Sequence, residues 1–166
     1  MIIKHLLTFV VGTLVLVCAA NSASAASEAQ RIATAKRFFQ GVYSSDSSVV
    51  DELASENITI SYPAFEKLFG KTALHGREDV RGLLTWFPAW WSVTQIDFPE
   101  TMADGDKVFL KWRLVANYMG PIREDQKHID PAHIWEGITL FRFDESGKIV
   151  EEVGFESEPQ PFRVVD

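Results

Sequence analysis

The chain has 166 residues, enough for one domain, and 46% of them are hydrophobic with 23% charged, an ordinary globular balance. Acidic residues outnumber basic ones 23 to 16, and no Lys/Arg cluster breaks the excess, which excludes a nucleic-acid phosphate track. A single cysteine, Cys18, excludes an intrachain disulfide.

Residues 1–25 read as an address rather than as fold. Lys4 supplies a short positive start, Leu6 to Ala20 is uncharged and mainly apolar, and Ala23-Ser24-Ala25 supplies small residues where signal peptidase cuts. The apolar run is shorter than the ~20 residues of a membrane span. Cys18 follows Val17, whereas a lipoprotein signal places a small residue there. The expectation is a signal peptide over 1–25, a single domain over 26–166, and a secreted or periplasmic protein with no membrane attachment after cleavage. Cleavage would remove Lys4 and Cys18, leaving a cysteine-free and slightly more acidic chain.

Ile32, Ala35, Phe39 and Val42 recur at helical spacing over 28–44, with Arg31, Lys36 and Gln40 between them. Ser48 with Asp51 resembles a capping pair opening a short helix through Leu53. Asn57 to Tyr62 alternates as a strand that Pro63 closes, and residues 64–75 read as a loop. Glu78 and Asp79 suit the first turn of a third helix, whose apolar face is Val80, Leu83, Leu84, Phe87 and Trp91. Pro88 should kink or end it. Strands follow over Val93–Glu100, Lys107–Tyr118, His133–Phe143 and Lys148–Phe155. Asp104-Gly105-Asp106 and Asp144 to Gly147 are the tight turns, residues 119–132 form a polar loop, and Pro159 and Pro161 mark a loose tail. Helices first and antiparallel strands after make an α+β fold, with three N-terminal-half helices covering a curved, mostly antiparallel sheet. Such a cone encloses space for a ligand.

Four segments in order carry a resemblance. They are His75-Gly76-Arg77-Glu78-Asp79-Val80, Trp86 to Trp90, Asp104 to Val108, and Phe141 to Glu151. Together they resemble the nuclear-transport-factor-2-like superfamily, in particular its SnoaL-like (polyketide cyclase-like) branch, over about residues 30–158. The resemblance implies a cone-shaped α+β barrel with an apolar cavity, commonly a homodimer. It does not imply one activity, since the superfamily contains isomerases, cyclases, dehydratases, epoxide hydrolases and binding proteins.

Functional positions of the superfamily transfer poorly. The base carboxylate of its ketosteroid isomerases aligns with Tyr62, their second acid with Thr139, and their helix tyrosine falls near Phe38. A phenol is a poor base at neutral pH. The Arg-x-Asp pair of limonene-type epoxide hydrolases meets Arg113-Leu114-Val115, which lacks the acid. The Gly-Thr-His of polyketide cyclases meets Ala116-Asn117-Tyr118, and their final Trp and Asp meet Val153 and Ser157.

Two carboxylates remain as candidate proton carriers. Glu136 lies in an apolar strand, where burial would raise its pKa, although it has Lys111 and Arg113 as possible partners across the sheet. Glu156 ends the last strand near the expected mouth of the cone, within an acidic run from Glu151 to Glu158 that solvent could equally hold. Asp97 alternates onto a polar strand face. Tyr62, Tyr118 and Thr139 are candidate polar contacts to a ligand, and Trp86, Trp90 and Trp112 candidate aromatic walls, with core packing the competing role for each. His128, Asp130 and His133 match no compact metal motif, so no metal and no cofactor is expected. The readings left open are an exported domain binding a small apolar or aromatic molecule, a cofactor-independent acid/base enzyme, and a non-catalytic homodimeric interaction domain.

Overall fold

A computed structural model describes residues 27–121, 132–158 and the backbone of 160–161. The predicted signal segment, most of the polar loop with His128 and Asp130, and the end of the tail lie outside these residues.

Helix α1 (27–43) is followed by α2 (Ser48–Leu53), strand β1 (Ala54–Ser61), α3 (Ala64–Phe69), β2 (Leu74–His75) and α4 (Gly76–Trp90). The strands β3 (Trp91–Asp104), β4 (Lys107–Tyr118), β5 (Ala132–Phe143), β6 (Ile149–Glu156) and β7 (Gln160–Pro161) complete the order. The sheet runs β2-β1-β6-β5-β4-β3, with β7 pairing β5. All pairings are antiparallel except β1 with β6, which places the first long strand parallel to the last long one. The α+β architecture read from the sequence is therefore the one observed.

Alternation on the central strands sets the two faces. Val108, Leu110, Trp112, Leu114 and Ala116 of β4 are buried inward, level with Phe141 and Thr139 of β5. Against them α1 packs Phe38 and Phe39. Phe39 lies 5.1 Å from Trp112 between ring centroids, and Phe38 meets Phe141 edge-on at 6.4 Å. Such aromatic pairs contribute area burial plus about 0.5–1.5 kcal/mol each.

Local chemistry fixes the element ends, sometimes by other residues than the sequence pattern predicts. Ser48 does not cap α2 with Asp51. Instead Asp46 accepts hydrogen bonds from the Ser48 amide and hydroxyl, at 3.0 and 2.6 Å. Asp79 turns back to accept the His75 amide at 3.1 Å at the start of α4. Arg77 donates to the Ala54 carbonyl, tying α4 to the start of β1. Asp144 holds the last hairpin by accepting from the Ser146 and Lys148 amides at 2.9 and 3.0 Å.

Three expectations are corrected. The segment 64–75 is not a loop throughout, because Ala64–Phe69 forms a helical turn and a half that buries Phe65, with Gly70 in the left-handed conformation at its end. Pro88 does not end α4, which runs on to Trp90 with the Trp91 amide donating to the Phe87 carbonyl. A proline three residues from the end removes only a bond of the exposed last turn. Strand β3 extends past Pro99 to Asp104, because Pro99 sits in a bulge of an edge strand where no ladder amide is required.

Gly154 of β6 has a structural reason. A side chain there would overlap the ring of Tyr62, which lies flat on the strand. Gly154→Ala should displace that ring and lower stability by about 1–3 kcal/mol, the cost of overpacking a full core. Urea denaturation with an unchanged m-value checks it.

Candidate functional site

The inner face of the sheet carries a chain of polar groups that starts from an indole. Trp112 Nε1 donates to Thr139 Oγ1 at 2.9 Å. Thr139 Oγ1 lies 2.8 Å from the Tyr62 hydroxyl, which donates to Glu152 Oε1 at 2.6 Å. An indole N–H can only donate, and an ionised carboxylate can only accept. When Glu152 is ionised the direction of the whole chain follows: Trp112 to Thr139, Thr139 to Tyr62, Tyr62 to Glu152. All four residues are buried, with Glu152 only 4% exposed. Gly137, opposite Trp112 on β5, makes room, since a side chain there would strike the indole ring.

Glu152 has no cationic partner in this network. Burial raises its carboxyl from the ordinary value to about 7, against the lowering effect of the Tyr62 hydrogen bond. Nearby Glu156 raises it further. Burial, then Glu152, pushes the Tyr62 hydroxyl well above the usual tyrosine value.

Glu156 lies four residues along β6 from Glu152, on the same face. It is half-buried, and its carboxyl is also raised to about 7, first by burial and then by Glu158. No hydrogen bond or ion pair from the described residues reaches it. It stands at the junction of two spaces. The inner one is a cavity of about 60 Å³ beneath Tyr43, Phe69, Trp86, Phe87, Trp112 and Trp135. The outer one is a vestibule of about 310 Å³, which shares Leu68, Trp86 and Trp135 with the inner cavity and adds Trp91 and Lys67. The rings are locked against one another, Trp91 on Trp135 at 4.4 Å and Trp86 on Phe69 at 5.1 Å, both edge-to-face. Tyr43 comes from the end of α1, and its hydroxyl is raised well above the ordinary value by burial and by Glu156 and Glu152.

The residues singled out from the sequence divide accordingly. Glu156, Trp86 and Trp112 line the cavity. Glu136 does not. It points to the outer face of the sheet, its side chain 68% exposed, paired with Arg113 at 3.8 Å. Strand alternation puts it opposite Thr139 in facing, so the apolar neighbours that suggested burial belong to the other side. Tyr62 and Thr139 lie behind the cavity wall, with their hydroxyls engaged in the buried chain rather than offered to a ligand. Trp90 is exposed at the end of α4 and stacks on Tyr118, so neither lines the cavity. Asp97 faces outward opposite Arg113. Among the described residues no cluster suits a metal ion.

Glu152 and Tyr43 were not singled out from the sequence. The signal for Glu152 was the period of two that relates it to Glu156. For Tyr43 it was the helical spacing from Phe39.

Residues 35–152 match the family described as the SnoaL-like domain. The chain belongs to that family. No curated protein matches the sequence. Among solved structures, an isomerase candidate from Bacillus subtilis superposes with a TM-score of 0.61 at 15% identity, covering 78% of this chain and 88% of that one. An LEH-like epoxide hydrolase from M. tuberculosis gives 0.57 at 13% identity, covering 78% and 84%. A SnoaL-like polyketide cyclase candidate from Mesorhizobium loti gives 0.53 at 18% identity, covering 73% and 94%. Identities this low establish the shared NTF2-like fold.

Two carboxyls that hold protons in the folded state up to about pH 7 give the SnoaL-like domain a defined pH response. Between the unfolded value near 4.5 and the folded value near 7, the native state binds more protons than the unfolded one. Stability therefore falls as pH rises through that window and levels off above it. The thermal midpoint should drop between pH 5 and pH 8. Glu152→Gln should flatten the drop and match or exceed the parent at pH 8, as scanning calorimetry would show.

Proposed function

We propose that this SnoaL-like domain is an exported protein that binds a small aromatic or apolar molecule in the pocket beneath Trp86 and Trp135. The observation that carries the reading is the aromatic vestibule of about 310 Å³ opening onto an inner cavity with a single half-buried carboxyl, Glu156, between them. Apolar walls with one or two placed polar groups are the usual make-up of a ligand site, and the volume sits at the small end of the range. The core behind it is filled by Phe39, Trp112 and Leu114, so the ligand must be about one ring in size. Export is supported by the signal-like segment at residues 1–25.

A second reading adds chemistry to the same pocket. A carboxyl near pH 7 is matched to general acid/base work, and Glu156 is the carboxyl that meets the cavity. It would shift a proton on a bound carbonyl or enol compound. The isomerase candidate and the epoxide hydrolase among the structural neighbours show that the fold accommodates catalysis of different kinds.

Five tryptophans, three of them at the pocket, make binding visible. Single-ring aromatic compounds should quench the intrinsic fluorescence saturably in the parent and not in Leu68→Trp, which fills the vestibule. Glu156→Gln separates the two readings. Retained binding with lost hydrogen–deuterium exchange of the ligand C–H marks an enzyme, whereas unchanged exchange marks a binding domain.

The outer sheet face supports a homodimer as a further part of the reading. Met102, Ile138 and Phe155 are exposed there, Phe155 at 68%, beside an open groove of about 900 Å³. Charges of both signs, Arg113 with Glu136 and Lys111 with Glu100, flank the apolar positions. Sedimentation velocity should show a dimer that Phe155→Asp converts to monomer; a parent that is monomeric at all concentrations would remove the dimer.

A further inference from the structure

Taking the pocket as a ligand site, we infer that its ligand is a small organic cation, an aryl- or alkylammonium ion, with its charge at Glu156 and its carbon skeleton against the rim tryptophans. Among the described residues, Glu156 is the carboxyl of the site that neither a hydrogen-bond donor nor a cation meets. Glu152 is met by Tyr62, and Glu158 by Lys67 at 3.9 Å. Glu156 receives neither a donor nor a cation from the described residues, and its register partner on β5 is Gly137, which has no side chain to offer one.

The walls select the same sign. Trp86, Trp91 and Trp135 line the vestibule with Glu156, and an indole face attracts a cation and repels an anion. Lys67, the basic residue of the vestibule's described lining, is engaged by Glu158. A carboxylate ligand would meet both Glu156 and the ring faces unfavourably. A neutral carbonyl ligand would need Glu156 protonated, to donate to it. The two therefore depend oppositely on pH: a cation binds tighter as pH rises through about 7, a carbonyl compound weaker. The acidic excess of the chain, −7 overall, would also draw cations toward the domain.

Among the described residues, the titratable groups around Glu156 are Tyr43 of α1, Lys67 of α3, Glu152 of β6, Glu158 just beyond β6, and His133 of β5, which stacks edge-on to Trp91 at 5.2 Å. Of these, Glu152 can also change charge near neutrality.

Benzyltrimethylammonium and its neutral isostere neopentylbenzene test the inference, because neither titrates. Tryptophan fluorescence gives both affinities. The cation should bind about tenfold or more tighter than the isostere at pH 8, the worth of one charge-assisted contact. That preference should fall about tenfold by pH 5.5, vanish in Glu156→Gln, and persist in Glu152→Gln and His133→Gln. Calorimetry in buffers of different ionisation enthalpy should show proton release on cation binding at pH 7. Equal affinity for the two probes, or tighter binding at low pH, overturns the cation while leaving the pocket. Binding of neither probe overturns the pocket as well. Preserved discrimination in Glu156→Gln overturns the role of Glu156.

Discussion

The hydrogen-bond chain from Trp112 through Thr139 and Tyr62 to Glu152 joins three strands that are far apart in sequence. One end is fixed by an indole that can only donate, and the Tyr62 hydroxyl donates to Glu152 at the other. Aligned donors polarise one another in a medium of low dielectric, so the chain is strongest when intact and costly when broken. Because β4, β5 and β6 each supply one member and Tyr62 follows directly on β1, the register of the inner face is tied to this chain as well as to apolar packing.

The same arrangement accounts for the pocket. Glu152 occupies the interior that a ligand would otherwise reach, and Tyr62, lying flat over Gly154, seals it. Space remains on the inner side toward the ends of α1, α3, α4 and β6, where Glu156 has no partner among the described residues. Two carboxyls on one face of one strand thus divide their roles by environment. One is satisfied and structural. The other has no partner among the described residues and faces the pocket. Glu156 raises the proton affinity of Glu152, so their titrations are linked.

Much of this was legible in the residues. Helical spacing in 28–44 and in Val80 to Phe87, alternation in Lys107–Tyr118, and the turns at Gly105 and Gly147 led to the α+β class and to the SnoaL-like resemblance. The parallel pairing of β1 with β6 was not, because hydrophobic alternation carries no information on which strands are neighbours. Glu136 and Glu156 looked equivalent as carboxylates near apolar residues. Only the facing of β5, inward at Thr139 and outward at Glu136, separates them. Glu152 was overlooked because a run of acids from Glu151 to Glu158 reads as solvated, whereas alternation sends every second residue inward. Tyr62 and Thr139 were recognised as family site positions, but their mutual bond depends on a flat ring over Gly154 that no local pattern encodes.

The pocket and the core beneath it share two β6 carboxyls that remain protonated to near neutrality. Carbon-13 NMR titration of the protein labelled at the glutamate carboxyl carbons observes them directly, with Glu152→Gln and Glu156→Gln assigning the two signals. Two resonances titrating near pH 7, each shifting when the other residue is replaced, are what the buried pair requires. All glutamates titrating between about pH 4 and 5 would contradict it, because carboxyls with ordinary values are in contact with water.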